Sequence, residues 1–243
     1  MLPVRVLDTN GRGNTFTLAY AIEWAVVHGA DVINLSLGAD SDSQVLHNAI
    51  NYAIEHNVIV VAAAGNLNVN VPQFPASYPG VLGVTAVNAD NSKADFAAFG
   101  TGWIDLAAPG VGITSTIIGP LGRGYASWSG TSMSAGFVSG AAALLRQRQP
   151  MASVVAIGAQ LTKHAVNVDP QNPTHVGELG GLLNVAAAME IAAVDATPTP
   201  VPETTPTPTP TTPEPTATPL PVTALPPENE PLNLFYYLPW VSR

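Results

Sequence analysis

The sequence has no cysteine. That excludes disulfides and thiolate metal sites while leaving the compartment open. Charge is sparse: Asp, Glu, Lys and Arg make up 10% of the chain, and the formal net charge is −9. With no basic cluster and an acidic balance, nucleic acid is excluded as a partner. Long apolar runs are missing too. Glycine, polar or charged residues interrupt every stretch before membrane-spanning length, so no membrane span is expected. The opening residues, MLPVRVLDTNGRGN, lack a basic segment followed by an apolar one, the pattern of a secretory leader.

What is present is a hydrophobic chain of 243 residues, 47% apolar, enough for one substantial core. Of its 23 prolines, 13 lie between Pro198 and Pro231. This divides the chain into a globular part at 1–195, a Pro/Thr-rich linker at 196–231 and an aromatic segment at 232–243. The linker cannot bury enough apolar surface to fold and reads as a stiff spacer. The last segment, LNLFYYLPWVSR, reads either as an unstructured end or as a docking segment, for example for attachment to a cell surface.

Strand and helix patterns alternate through the globular part. PVRVLD is expected as a first strand, FTLAYAIEWAVVHG as a helix and ADVINLSLG as a buried strand. QVLHNAINYAIEHN and VIVVAAAGN repeat the helix–strand pair, and four further β segments precede a long helix beginning near Ser132. One helix near 151–164 and another in LLNVAAAMEIAA complete it. The expected class is α/β, a mainly parallel sheet with helices on both faces.

Within SWSGTSMSAGFVSG, Ser132 stands where the long helix starts. It has two readings there: an N-cap accepting an amide hydrogen bond, or a nucleophile facing helix amides. In parallel sheets, functional residues collect in loops at the carboxyl ends of strands. LSLG ending at Gly38, AAAGN ending at Asn66 and SGTS leading to Ser132 are three such loops. An asparagine amide and a helix N-terminal amide suit an oxyanion.

Together these blocks resemble the C-terminal part of the catalytic domain of subtilisin-like serine proteases, from about Val4 to Ala188. The resemblance implies a serine endopeptidase acting on polypeptide substrates, extracellular or at the cell surface, with no required cofactor. SGTSMSAGFVSGAAALL resembles the nucleophile block, making Ser132 the nucleophile, and VIVVAAAGN the strand carrying the oxyanion asparagine, here Asn66. LDTNGRGN is similar to the cleft-edge strand, so that Gly11, Arg12 and Gly13 would pair with substrate backbone. Ser36, Leu37 and Gly38 would form the opposite wall, and Ala64, Gly65 and Leu67 the primary specificity pocket. That pocket has no acid and is expected to be open and uncharged, with Gln73 or Phe74 closing its far end, and to prefer large apolar residues. FPASYPGV offers the carbonyls of Ala76, Tyr78 and Val81 for a weak structural calcium or monovalent cation.

One departure is serious. The family's triad runs aspartate, histidine, serine, with the histidine in a His-Gly-Thr-His stretch. None of His28, His47, His56, His164 and His175 has that context. The chain is therefore expected to be N-terminally truncated relative to the family domain, without the triad Asp and His. Asp8 superficially resembles the triad aspartate, but no room for a histidine block follows it. Gly136 and Phe137 also replace residues usual in the family. The alternative reading is an inactive pseudoprotease serving as a binding or structural module. An α/β-hydrolase elbow would need glycine at Ser134, and NGRGN lacks the third glycine of a dinucleotide loop.

Overall fold

The computed structural model describes residues 1–119 and 122–190 and the strand Leu234–Tyr236. The expected boundaries at 195 and 231, and the linker between them, lie outside the described residues.

The first expected strand is not formed. Residues 3–8 have no strand pairing, and β1 is Arg12–Asn14. A turn separates the two. The Asp8 carboxylate accepts from the backbone N–H of Asn10 at 2.8 Å and Arg12 at 2.9 Å. The Asp8 N–H donates to the Arg12 carbonyl at 2.8 Å, closing a loop with Gly11 at φ 73°. Val6 and Leu7 instead pack, partly buried, against the core.

Helix α1 (Thr15–Val27) follows directly, its N-cap Asn14 accepting from Thr17 N–H at 2.9 Å. Then come β2 (Val32–Leu35), α2 (Gln44–Glu55), β3 (Ile59–Ala63), β4 (Val81–Val87) and β5 (Leu106–Pro109). A hairpin, β6 (Ile113–Gly119) with β7 (Gly122–Trp128), leads into α3 (Thr131–Arg148). The chain continues through α4 (Val154–Lys163), β8 (Val166–Asn167), a 3₁₀ turn at Asp169–Gln171, β9 (Gly181–Leu182) and α5 (Val185–Met189). Strand β10 is Leu234–Tyr236.

The main sheet has the order β2-β3-β4-β5-β9-β8, parallel from β2 to β9 and antiparallel at β8. Strands β3 and β4 are buried along their whole length, as continuous apolar runs in a covered parallel sheet require. Val60 and Ala62 join Leu18 and Ile22 of α1 and Leu46 and Ile50 of α2 in one core cluster. Strand alternation turns Val61 to the opposite face, where α3 packs across β2 to β5. The layers are thus helix, sheet and helix, and they bring the carboxyl ends of β2 and β3 to the N-terminus of α3.

Candidate active site

Ser132 is the second residue of α3 and 8% exposed. It is not a cap. The N-cap is Gly130 and makes no side-chain cap bond, whereas Asn14, Ser43, Ser153 and Asn184 each cap their helices. The Ser132 hydroxyl instead donates 3.2 Å to the Ser36 carbonyl, and the Ser36 hydroxyl donates 2.9 Å to the Ser132 carbonyl. This reciprocal pair ties the LSLG wall to the helix start. The Ser132 amide belongs to the first turn, whose N–H groups a helix leaves without intrahelical partners and which carries partial positive charge.

Asn66 ends the β3 loop and is 7% exposed. Its Oδ1 accepts from the Thr131 N–H at 2.9 Å and the Thr131 hydroxyl at 3.0 Å. The same hydroxyl accepts from Gly65 N–H at 3.1 Å. Thr131 thereby fixes which end of the Asn66 amide is the acceptor, with Nδ2 as the donor end. Sequence reasoning passed over Thr131, although its place beside Ser132 was a signal. Close packing fixes the helix start as well. A Cβ at Gly110 would lie 2.5 Å from both Ala86 Cβ and Ser134 Oγ, and Ser134 donates 2.9 Å to the Ala108 carbonyl.

The other expected residues lie on the neighbouring strands and loops as follows. Gly11 lies in the loop before β1, which holds Arg12 and Gly13; Ser36, Leu37 and Gly38 follow β2, and Ala64 and Gly65 follow β3. Leu67 is 59% exposed, Leu37 and Ala64 buried. Gln73, one of the two residues expected at the far end of the pocket between the LSLG and AAAGN loops, is buried. A Cβ on Gly65 would meet Gln73 Cγ at 3.2 Å, and one on Gly38 would be 3.9 Å from its Oε1. Gln73 thus stands between the two walls, leaving less depth and a polar amide there. A cleft of about 550 Å³ adjoins the centre, lined by Asn66, Leu67, Phe96, Val111 and Ser129 among others.

Residues 1–181 match the model of the Subtilase family. The chain belongs to the subtilase family. It is 40% identical over 185 residues to the alkaline elastase YaB of a Bacillus species, covering 76% of this chain and 47% of that protein. Subtilisin BL of Lederbergia lenta is also 40% identical over 185 residues, with 66% of its length covered. The minor extracellular protease of Bacillus subtilis is 39% identical over 166 residues, 68% of this chain and 25% of that protein. The chain thus spans between about half and two thirds of the length of the first two. Among solved structures, a protease of Pseudoalteromonas arctica superposes with TM-score 0.66 at 35% identity, over 72% of this chain and 58% of that one. The subtilisin-like fold and the membership in a family of serine proteases agree with the sequence expectation.

No histidine ring meets Ser132 in this subtilase among the described residues. His28 stacks on Trp24, His56 lies tilted against Tyr52, and each bonds to that residue's own carbonyl. His47 stacks on Tyr78, His164 caps α4, and His175 bonds Glu178 at 2.9 Å beside Phe99.

For a cation, Ala76, Tyr78 and Val81 are buried together, but the Tyr78 carbonyl already accepts from Val81 N–H at 3.1 Å. The carbonyls of Ala76 and Trp103 converge on Gly83, close enough that a Cβ there would collide with both. The Tyr78 hydroxyl is bonded to Asp42 and Ser43, and burial pushes its pKa up. The carbonyl of Ala76 fits the donor chemistry of a hard cation; that of Tyr78 fits less well.

Proposed function

We propose that this chain carries the nucleophile half of a subtilisin-like serine endopeptidase. Ser132 attacks the scissile carbonyl, while Asn66 Nδ2 and the Ser132 amide receive the oxyanion. The observation that carries this reading is the Thr131 clamp on Asn66 Oδ1. A buried amide held at its acceptor end, beside a serine in the first turn of a long helix, is a donor prepared for developing negative charge. Such a donor is typically worth about 3 kcal/mol in the transition state.

The proton from Ser132 needs a base, and the described hydrogen bond of its hydroxyl runs to a carbonyl, which cannot take it. The reading therefore assigns the histidine–aspartate pair to a segment beyond these 243 residues. The 243-residue chain itself should turn over peptides at a small fraction of a complete triad's rate, because triad members act as a unit. The same missing base favours the second reading, a pseudoprotease used as a binding or structural module.

For substrate, the reading is an extended polypeptide laid along β1 (Gly11 to Gly13) and the Ser36–Gly38 wall. With Gln73 between the walls, the side chain before the cut would be small and uncharged rather than large and apolar. The extracellular assignment follows the relative named as extracellular. A weakly bound calcium or monovalent cation at the Ala76 carbonyl would be structural and take no part in the chemistry.

Casein hydrolysis tests the proposal, using the chain extended upstream of Met1 by its own genomic sequence. Activity abolished by Ser132→Ala, and lowered about 100- to 1,000-fold in kcat by Asn66→Ala, is expected. An inactive extended chain would favour the binding module.

A further inference from the structure

The C-terminal segment LNLFYYLPWVSR has no role in the proposed function, yet the fold pairs part of it with β1. Strand β10 pairs antiparallel with β1, matching Arg12 with Tyr236, Gly13 with Phe235 and Asn14 with Leu234. Both strands belong to one compact unit. They form a two-stranded sheet separate from the main one.

The backbone groups of β1 show where the exchange of hydrogen bonds falls. The N–H of Arg12 donates to the Asp8 carboxylate, and its carbonyl accepts from the Asp8 N–H. Both groups of Arg12 are thus turned to Asp8. In an antiparallel ladder the groups of successive residues point to opposite sides. Those of Gly13 therefore face Phe235, at the centre of the pairing. On one face of the strand Gly13 is packed so tightly that a Cβ would lie 2.5 Å from the Val6 carbonyl oxygen. Asp8 occupies one edge of β1 at Arg12, and residues 234–236 pair with the other.

An exposed strand edge accepts any extended segment through its main chain, the mode by which many domains bind peptides. We infer that Leu234–Tyr236 is an intramolecular competitor of polypeptide substrate for Gly13, so that the chain's own C-terminus closes its cleft edge. This rests on reading β1 as that edge. It gives the aromatic segment a docking role on the domain itself, in place of attachment elsewhere. The segment is joined to the domain through residues 191–233, so its docking is intramolecular and is governed by an effective concentration, taken as on the order of 1 mM. A segment that binds alone with Kd about 0.1 mM would then be docked in roughly nine chains of ten. Releasing it should tighten binding of a free peptide about tenfold.

The test compares the full chain with its Phe235→Pro variant, since proline has no N–H for the ladder and is confined to unpaired strand positions. A chain ending at Pro231 is the second variant. Two readouts are taken: amide hydrogen exchange across residues 12–14, and fluorescence anisotropy with a dye-labelled peptide of sequence LNLFYYL. Faster exchange in both variants, with about tenfold tighter peptide binding, is expected. Unchanged exchange would overturn the inference whatever the peptide does. Faster exchange with no peptide binding by either variant would show that β1 is no acceptor for extended peptides. In that case the cleft-edge reading fails and the competition fails with it.

Discussion

Replacing Thr131 by valine should destabilise the protein by about 2 kcal/mol although the two side chains have nearly the same shape. The Thr131 side chain is fully buried, and its hydroxyl makes two bonds: 3.0 Å to Asn66 Oδ1 and 3.1 Å from Gly65 N–H. Valine keeps the volume and removes the hydroxyl. The Gly65 N–H, partly buried, then loses its partner, and leaving a buried donor unsatisfied costs about 1–3 kcal/mol. Asn66 Oδ1 keeps the Thr131 N–H, so the second loss is smaller, roughly 0.5–1 kcal/mol. Thr131→Ser is the control: it keeps the hydroxyl and forfeits one methyl, about 0.8 kcal/mol of burial. Urea unfolding of the three proteins would measure the order. Two kcal/mol corresponds to a fall in Tm of roughly 4–8 °C for a domain of this size. Valine should be the worse substitution. If valine proves as stable as threonine within 0.5 kcal/mol, or more stable than serine, Thr131 is not the clamp on Asn66 described above.

Other expectations follow from the same contacts. Gly13→Val would place a branched side chain against the Val6 carbonyl and Leu7, shifting β1; hydrogen exchange across 12–14 should accelerate at least tenfold, and in an active extended chain KM should rise more than kcat falls. Gln73→Gly should deepen the pocket beside Gly65 and Gly38 and shift a cleavage profile from small residues toward leucine and phenylalanine; an unchanged profile would remove Gln73 from the pocket. Arg146 is buried at the end of α3 and donates to the carbonyls of Asn57 and Ala152, so Arg146→Met should cost about 2–4 kcal/mol in urea unfolding. Burial raises the Asp105 carboxyl above its ordinary 3.8, opposed by the bond from Gly83 N–H. A carboxyl held more tightly protonated in the folded state loses stability as pH rises through its folded pKa. Asp105→Asn should therefore stabilise at pH 7, with the gain fading as pH falls toward 3.8; a gain that grows in acid would contradict this.

The blocks proposed to carry the chemistry are legible because they are local. SGTS at the start of an alanine-rich helix, and AAAGN at the end of an apolar strand, announce both the element and its end. The parallel sheet was equally plain, since β3 and β4 are nearly pure apolar runs. What escaped depends on residues far apart in sequence or on turn chemistry. PVRVLD has a strand's composition, but composition does not supply a partner, and none of the described strands pairs with it; the Asp8 side chain then binds the Asn10 and Arg12 amides in the turn before β1. The sequence offers Gln73 and Phe74 alike for the far end of the pocket; that the Gln73 side chain is the one beside Gly65 is a tertiary contact made from another loop. The pairing of β10 with β1 joins residues more than two hundred positions apart, and no local pattern encodes that. The five histidines are set aside from motif context alone; in the structure the rings of His28, His47, His56 and His175 lie against Trp24, Tyr78, Tyr52 and Phe99.

The central claim is that Ser132 becomes a nucleophile once a base is supplied. Reaction with a fluorophosphonate tests it most directly, because phosphonylation of a serine hydroxyl requires the activated nucleophile and the oxyanion donors but no peptide substrate. The chain extended upstream of Met1 and the 243-residue chain would be treated side by side and their peptides sequenced by mass spectrometry. The account predicts one adduct, on Ser132, in the extended chain, slowed by Asn66→Ala and nearly absent from the 243-residue chain. An extended chain that carries no adduct, or carries it on a residue other than Ser132, would contradict the account.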